Sequence, residues 1–290
     1  MDAGLLMLVG GFAAGVFGSL LGLGGGILIV PLLTLGFGLD LRSAVGVSLV
    51  CVIMTSSAAA GVYLEKHVAN LRLGMSLELF TAIGALVGGS IAFLIDERFL
   101  SVLFAALLGY VAFSMICASV RDTDGTETEI QGPAGEATVA GQPAVGGAEA
   151  QPSRRQASFL ASVSGPDYQV RNLGTGIVGA TGAGVASALL GVGGGIVKVP
   201  LLHLAMGVPL RVATATSNLM IGITAAASAV IYLLRGEIDP FVAGPTAIGV
   251  FLGATMGSRV AHRIPLRYLR WLFVAVILYT AVQMLLRAVT

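Results

Sequence analysis

Long apolar segments separated by short polar ones dominate the pattern of hydrophobic and polar positions along the chain. A bilayer core of roughly 30 Å needs about 20 apolar residues for each helical crossing, and segments of that order recur throughout the sequence. The charged residues are concentrated between them. The pattern predicts eight long apolar blocks, at 4–38, 43–64, 73–95, 99–119, 172–206, 212–234, 241–260 and 268–286.

Composition indicates the same class of protein. Of the 290 residues, 56% are hydrophobic and 11% are charged, and the mean hydropathy is +0.93. A water-facing shell cannot cover that much apolar surface, so we expect an all-α polytopic membrane protein with lipid as its main solvent. The two cysteines, Cys51 and Cys117, are too few for a disulfide framework or a four-cysteine metal site, and we interpret them as packing residues. The net charge of +1 predicts no nucleic-acid partner.

The chain contains an internal repeat. The segment SLLGLGGGILIVPLLTL, which begins at Ser19, aligns with ALLGVGGGIVKVPLLHL, which begins at Ala188. The same offset pairs Pro31 with Pro200, Arg42 with Arg211, Ser48 with Ser217 and Tyr63 with Tyr232. The second copy then loses about four residues, so that Gly84 aligns with Gly249 and Gly88 with Gly253. We predict two homologous halves, a transmembrane repeat at 1–119 and another at 171–290. A polar segment at 120–170, rich in Gly, Pro and Ala, is predicted to be a disordered linker.

Glycines interrupt the first apolar block of each half, at Gly22–Gly26 and at Gly191–Gly195. Each block has about 35 residues and is too long for one crossing. Adjacent glycines cost about 1 kcal/mol each within a helix and adopt positive φ freely. Each block is therefore predicted to form a discontinuous hairpin of two half-helices, either re-entrant or fully crossing, followed by about three transmembrane helices. Close helix packing is the alternative role for these glycines. A nucleotide loop is disfavoured because both flanks are helical membrane sequence.

The basic residues favour one of two topologies. If all eight blocks cross the membrane, the basic residues divide almost evenly between its two sides. If each broken block returns to its own side, the second half inserts upside down and the positive-inside rule is obeyed much better, with the linker in the cytoplasm. The cytoplasmic set is then Lys66, Arg72, Arg121, Arg154, Arg155, Arg171, Arg211, Arg263, Arg267 and Arg270, and the outer set is Arg42, Arg98, Arg235 and Arg287. We therefore predict inverted-topology repeats.

Inverted repeats with broken helices are typical of secondary transporters, which alternately open a midplane site to each side of the membrane. The N-termini of half-helices present unpaired N–H groups and the positive end of the helix dipole, so the predicted cargo is a small anion. Lys198 follows the second glycine motif and would pair with that anion, unless it snorkels to the interface. The candidate substrate-binding residues are Gly24, Gly25, Gly26, Gly193, Gly194, Gly195, Lys198, Ser48, Ser217 and Asn218.

Other polar residues in the apolar blocks allow two interpretations each. Ser48, Ser217 and Asn218 would bind the cargo or form hydrogen bonds between helices. His203 is a candidate proton relay, or else a packed or capping residue. Glu78 lies close to Arg72 in the sequence, which favours an interfacial position for its carboxylate.

Catalytic chemistry finds no support in the sequence. The motifs HExxH and GxSxG, a Walker motif and a metal-ligand cluster are all missing from it. We therefore predict no enzyme, no cofactor and no metal site. The predicted partners are the small anion and the lipid bilayer, and a coupling proton or ion and a homo-oligomer are left open.

At these residues the sequence resembles the TauE/SafE family of membrane permeases, the sulfite exporter family. The resemblance is carried by the duplicated GxGGGxxxxPxL, by the polar turns at Gly46–Ser48 and Thr214–Asn218, and by the glycine-rich third block of each half. It covers nearly the whole chain except the linker. It implies a multi-pass protein of the cell membrane that exports sulfite or organosulfonates such as sulfoacetate. An anion channel, or a permease for a different small anion, is the alternative.

Overall fold

The computed structural model describes residues 3–20, 25–65, 69–121, 168, 170–260 and 266–289. The helical elements in these ranges are five α-helices and one short π-helical segment in each half. The first half has α1 (Ala3–Leu20), α2 (Gly26–Pro31), α3 (Leu41–Glu65), α4 (Leu71–Ala92) and α5 (Glu97–Arg121). The second half has α6 (Leu173–Leu190), α7 (Gly195–Pro200), α8 (Leu210–Leu234), α9 (Pro240–Val260) and α10 (Leu266–Val289). The two sets follow the same order, so α1 corresponds to α6, α2 to α7, and so on to α5 and α10.

Six helices in the described part of the chain are long and apolar enough to cross a membrane, namely α3, α4, α5, α6, α8 and α9. The prediction of an all-α polytopic membrane protein is therefore confirmed. The apolar windows described in α1 and α10 are shorter. The six therefore include α6, whereas the six crossings counted for the inverted topology include α10 in its place. Large apolar side chains such as Val178, Leu94 and Phe241 are more than 70% exposed, which suits contact with lipid rather than with water.

The two halves interlock through glycines. Helix α1 packs along α9, and its counterpart α6 packs along α4. A methyl group added at Gly249 would lie 2.1 Å from the carbonyl oxygen of Leu8, and one at Gly184 would lie 2.0 Å from that of Thr81. Only glycine allows backbones to approach so closely. The first helix of each half is thus fitted against the fourth helix of the other half.

The corresponding helices α3 and α8 cross at the centre of the molecule and run antiparallel. Near the start of α3, the Ser43 hydroxyl donates to the Glu237 carboxylate, which follows the end of α8, over 2.8 Å. Further along α3, the Ser56 hydroxyl donates to the carbonyl of Asn218, early on α8, over 2.5 Å. Antiparallel packing of equivalent helices supports the inverted repeat, which remains a prediction because it refers to a bilayer.

The broken block of the second half folds into a hairpin, called hairpin 2 below and formed by residues 173–206. Helix α7 continues into a π-helical turn, Leu201–Ala205, and runs back along α6. The ends of the hairpin meet, because the Arg171 N–H donates to the Met206 carbonyl over 3.0 Å. In hairpin 1, described over residues 3–20 and 25–36, a methyl group at Gly10 would lie 3.0 Å from Leu32, so α1 and the π turn after α2 pack in the same way.

Candidate functional site

Each short half-helix begins at a glycine in the left-handed conformation. Gly25 precedes α2 and Gly194 precedes α7, and both have a φ of 74°. Residues with a Cβ avoid this conformation, which explains why glycine is found at both positions. In hairpin 2 the break occupies the four residues between Leu190 and Gly195. The predicted site residue Gly24 lies outside the described residues.

The two hairpins meet at the centre of the protein, beside Ser48 on α3. The Ser48 hydroxyl lies 2.8 Å from the carbonyl oxygen of Gly191 in hairpin 2 and 3.3 Å from that of Gly26 in hairpin 1. A methyl group on Gly26 would lie 2.6 Å from the Gly191 oxygen. On the other side, a methyl group on Gly193 would lie 2.7 Å from both Val52 and Ile221, which are equivalent residues of α3 and α8. Parts of both glycine motifs are therefore packed together between α3 and α8.

A buried ion pair lies against hairpin 2. The Lys198 ammonium is 3.2 Å from the Glu78 carboxylate, and both residues are at most 3% exposed. Thr224 on α8 joins the two, because its hydroxyl lies within hydrogen-bond distance of Lys198 Nζ and 2.6 Å from Glu78 Oε1. We call Glu78, Lys198 and Thr224 the charged cluster.

One sequence-based expectation, for Glu78, and one of the two alternatives for Lys198 are wrong at this cluster. Glu78 does not occupy an interfacial position beside Arg72, because α4 packs on α6 and α8 and encloses the carboxylate within the protein. Lys198 does not snorkel, since its side chain is 1% exposed and is held by Glu78 and Thr224. Each charge makes the burial of the other tolerable, because an isolated ion at this depth would be costly.

Two buried hydroxyls near the start of α7 have no hydrogen-bond partner among the described residues. They belong to Ser187 on α6 and Ser217 on α8, which are at most 1% exposed. A methyl group on Gly194 would lie 3.3 Å from Ser187 Cβ and 3.6 Å from Lys198 Cε, and one on Gly195 would lie 3.9 Å from the Ser217 hydroxyl. Unsatisfied buried hydroxyls are uncommon, so this pair suggests a place where a polar ligand binds.

The remaining predicted residues lie around this region to different degrees. Asn218 is 9% exposed, and its backbone carbonyl accepts from Ser56. His203 is exposed, and its Nδ1 lies 2.9 Å from the carbonyl of Val208, just beyond the π turn. His203 therefore lies at a helix end, whereas Lys198 and Ser217 lie close to Gly194 and Gly195 at the start of α7.

Sequence reasoning missed Glu78, Thr224 and Ser187. Glu78 offered a signal, because opposite charges in two separate apolar blocks favour pairing across the interior. Thr224 and Ser187 offered none, since single hydroxyl residues are common in apolar helices and usually bond within them.

The fold defines a class: a multi-pass helical membrane protein in which two broken-helix hairpins meet at the centre and a buried ion pair lies against one of them, an arrangement typical of membrane transporters. Comparison with known families identifies it more closely. The family model "Sulfite exporter TauE/SafE" matches residues 7–284, and the chain belongs to this family.

Known relatives of the chain are described as probable membrane transporter proteins. The chain is 26% identical to the probable membrane transporter protein YunE of Bacillus subtilis (strain 168) over 89% of each chain. It is 26% identical to a probable membrane transporter protein of Xylella fastidiosa (strain 9a5c), over 87% of this chain and 81% of the relative. It is 24% identical to the probable membrane transporter protein MamO of Paramagnetospirillum magneticum (strain ATCC 700264 / AMB-1), over 97% of this chain but 44% of the relative. No solved structure matches the chain.

Proposed function

We propose that the protein is a secondary transporter that exports a small sulfur-containing anion, sulfite or a short organosulfonate, across the cell membrane. The observation that carries this proposal is the meeting of the two hairpins at Ser48, with the half-helix starts at Gly25 and Gly194 beside it. Helix N-termini attract anions, and broken helices at a repeat interface are where secondary transporters bind cargo. The sulfur chemistry of the cargo comes from the family.

Lys198 supports a negative cargo. It is a buried cation in the short helix α7, close to Ser187 and Ser217, whose hydroxyls have no hydrogen-bond partner in the described part of the chain. Oxyanions such as sulfonates accept several hydrogen bonds at once, and an ammonium and two hydroxyls supply suitable donors. In the proposed site, the glycine turns, Ser48, Ser217, Asn218 and Lys198 surround the anion.

The interlocked packing supports alternating access. Because α1 fits against α9 and α4 fits against α6 through glycine contacts of backbone on backbone, each pair would move as one body. Helices α3 and α8 lie between the two pairs at the centre. Their contacts with each other include hydrogen bonds from the side chains of Ser43 and Ser56. Since the turns touch at Gly26 and Gly191, the cargo would enter when the two bodies rock apart. In this proposal the linker is cytoplasmic.

The test is flux into proteoliposomes that contain the purified protein. Sulfite and methanesulfonate uptake should saturate with concentration and should show counterflow, in which unlabelled anion inside accelerates entry of labelled anion. Lys198→Met should reduce the flux about tenfold or more, because a hydrogen bond to a charged group contributes about 1.5–3 kcal/mol. Ile29→Met, at the equivalent position of hairpin 1, is the matched control and should leave the flux unchanged.

Three results would contradict this proposal in different ways. Flux that rises linearly with concentration and shows no counterflow would identify a channel. Background flux for both anions would refute the sulfur-anion cargo. Equal flux in the Lys198→Met and Ile29→Met variants would remove Lys198 from the binding site.

A further inference from the structure

The repeat provides an internal control for the charged cluster. In the structure the offset of 169 also holds for α4 and α9, because Gly184 meets the carbonyl of Thr81 and Gly15 meets that of Val250. The positions in the other half that correspond to Lys198, Glu78 and Ser187 are therefore Ile29, Ala247 and Gly18. All three are buried, and Ile29 is 0% exposed. The same arrangement of helices is therefore built around hairpin 1 without any charge. Because the fold does not require an ion pair at this place, and because buried ion pairs seldom add net stability, the pair in the second site calls for a functional explanation.

Thr224 allows the Glu78 carboxyl group to keep a hydrogen bond with or without a proton. Its hydroxyl lies 2.6 Å from Glu78 Oε1 and 3.0 Å from the carbonyl oxygen of Met220. When Glu78 is ionised, the hydroxyl donates to the carboxylate. When Glu78 is protonated, the hydroxyl rotates to donate to Met220 and accepts the proton of the carboxyl group. A change of protonation therefore leaves no unpaired donor or acceptor at Thr224.

The titratable groups on the neighbouring elements leave Glu78 as the candidate for proton binding. Helix α6 has none, α7 has Lys198, the π turn after it has His203, and α8 has Arg211 and Tyr232. His203 and Arg211 are exposed, as is Arg72 on the first turn of α4 itself. The Tyr232 hydroxyl donates to the carbonyl of Ala188, and its ring packs on Phe93 after the far end of α4. Among the described residues, Lys198 is the charged group in contact with the Glu78 carboxylate.

We propose that Glu78 is the proton-binding site of an anion–proton symport. This rests on the proposed function, in which Lys198 binds the anion. With no cargo, Glu78 is ionised and neutralises Lys198. When the anion reaches Lys198 and the hydroxyls of Ser187 and Ser217, it takes over as the counter-ion, and Glu78 binds one proton and turns to Thr224.

The charges balance through the cycle. The empty site holds one positive ammonium and one negative carboxylate. The loaded site holds the ammonium, one anion and a neutral carboxyl group, so both states that cross between the two sides have no net charge. Neutral states avoid the cost of moving a bare charge through a low-dielectric interior. The direction of flux follows the combined gradients of the anion and the proton. Export with a proton therefore proceeds when the outward gradient of the anion exceeds any inward gradient of the proton.

The experiment uses methanesulfonate, because it stays singly charged over the working pH range and does not itself bind the coupled proton. Proteoliposomes have equal potassium on both sides with valinomycin, which holds the membrane potential at zero, and an interior about 1 pH unit more alkaline than the bath. One proton per anion should accumulate the anion about tenfold, since one pH unit corresponds to about 1.4 kcal/mol. Glu78→Gln should lose this accumulation, and the anion flux that it keeps should not respond to the pH gradient. Glu237→Gln, an acid in contact with Ser43 outside the cluster, is the matched control and should accumulate as the wild type does.

A second measurement detects the protonation in the wild-type protein and uses the variants only to assign it. Infrared difference spectra recorded on addition of methanesulfonate should show the C=O band of one newly protonated carboxyl group. The band should persist in Glu237→Gln and disappear in Glu78→Gln.

The outcomes separate the two proposals. Saturable wild-type flux without pH-driven accumulation, and without the infrared band, would overturn the symport and leave the transporter intact. Accumulation by Glu78→Gln equal to that of the wild type would overturn the role of Glu78. No flux of sulfite or methanesulfonate in the wild type would refute the proposed function and the symport with it.

Discussion

Replacing Lys198 with isoleucine is predicted to destabilise the protein, and adding Glu78→Ala is predicted to restore the loss. The single change leaves the Glu78 carboxylate buried with Thr224 as its remaining partner in the cluster. Breaking a buried ion pair in this way costs about 3–5 kcal/mol. The double variant places an isoleucine and an alanine where the first half of the repeat and α9 have Ile29 and Ala247, so it should unfold with a free energy within about 1 kcal/mol of the wild type or above it.

The assay is a double-mutant cycle measured in detergent micelles. The free energy of unfolding is obtained by titration with sodium dodecyl sulfate and followed by circular dichroism for the wild type, Lys198→Ile, Glu78→Ala and the double variant. The sum of the losses in the two single variants should exceed the loss in the double variant by about 3 kcal/mol or more. If Lys198→Ile unfolds like the wild type, the pair is not held in a water-excluded site. If the double variant loses the sum of both single effects, the two residues do not act as a pair.

Further predictions concern the hairpin, the packing of the halves and the topology. Gly194→Ala should lose about 1–2 kcal/mol of unfolding free energy because its φ is 74°, whereas Gly182→Ala, in open space on α6, should be tolerated. Gly184→Ala places a methyl group 2.0 Å from a carbonyl of α4 and should cost about 1–3 kcal/mol in the same assay. In a variant without native cysteines, a cysteine at Asp96 should react with an impermeant maleimide added to intact cells, and one at Gly207 only after permeabilisation; the reverse pattern would overturn the proposed orientation.

The helical class and the positions of most helices could be predicted from the sequence, because lipid allows only chains that satisfy their own backbone hydrogen bonds. The eight blocks lie close to the helices of the structure, and the block at 172–206 contains both α6 and α7. The glycine motif also indicated where that block breaks, since a positive φ at Gly194 is a local property that a short sequence window determines.

The charged cluster could not be predicted in the same way. Its members come from α4, α7 and α8, and Glu78 and Lys198 are 120 residues apart in the chain. They meet because the fourth helix of one half packs on the first helix of the other half, at Gly84 and Gly184. Glycines spaced along one face of a helix predict that another helix packs closely against it, but they do not identify that partner helix. Without that partner, a lone glutamate in an apolar block is most simply placed at the interface.

The charged cluster lies at hairpin 2, whereas the equivalent positions around hairpin 1 carry no charge. Two hairpins offer two half-helix starts, yet a buried lysine follows only the one at Gly194, while Ile29 occupies the matching place in hairpin 1. Because a cation attracts an anion more strongly than a helix terminus does, the cargo would stay with hairpin 2 and with α4, which contributes Glu78.

Hairpin 1 would then be the element that moves, closing on the cargo from one side and releasing it on the other. The substitution that should impair movement more than binding therefore lies in hairpin 1, at Gly26, where a methyl group would lie 2.6 Å from the carbonyl of Gly191. Gly26→Ala should lower the maximal flux of methanesulfonate more than it changes the half-saturating concentration, whereas Lys198→Met should mainly raise the half-saturating concentration. Equal effects of the two changes on affinity would contradict this division between the hairpins.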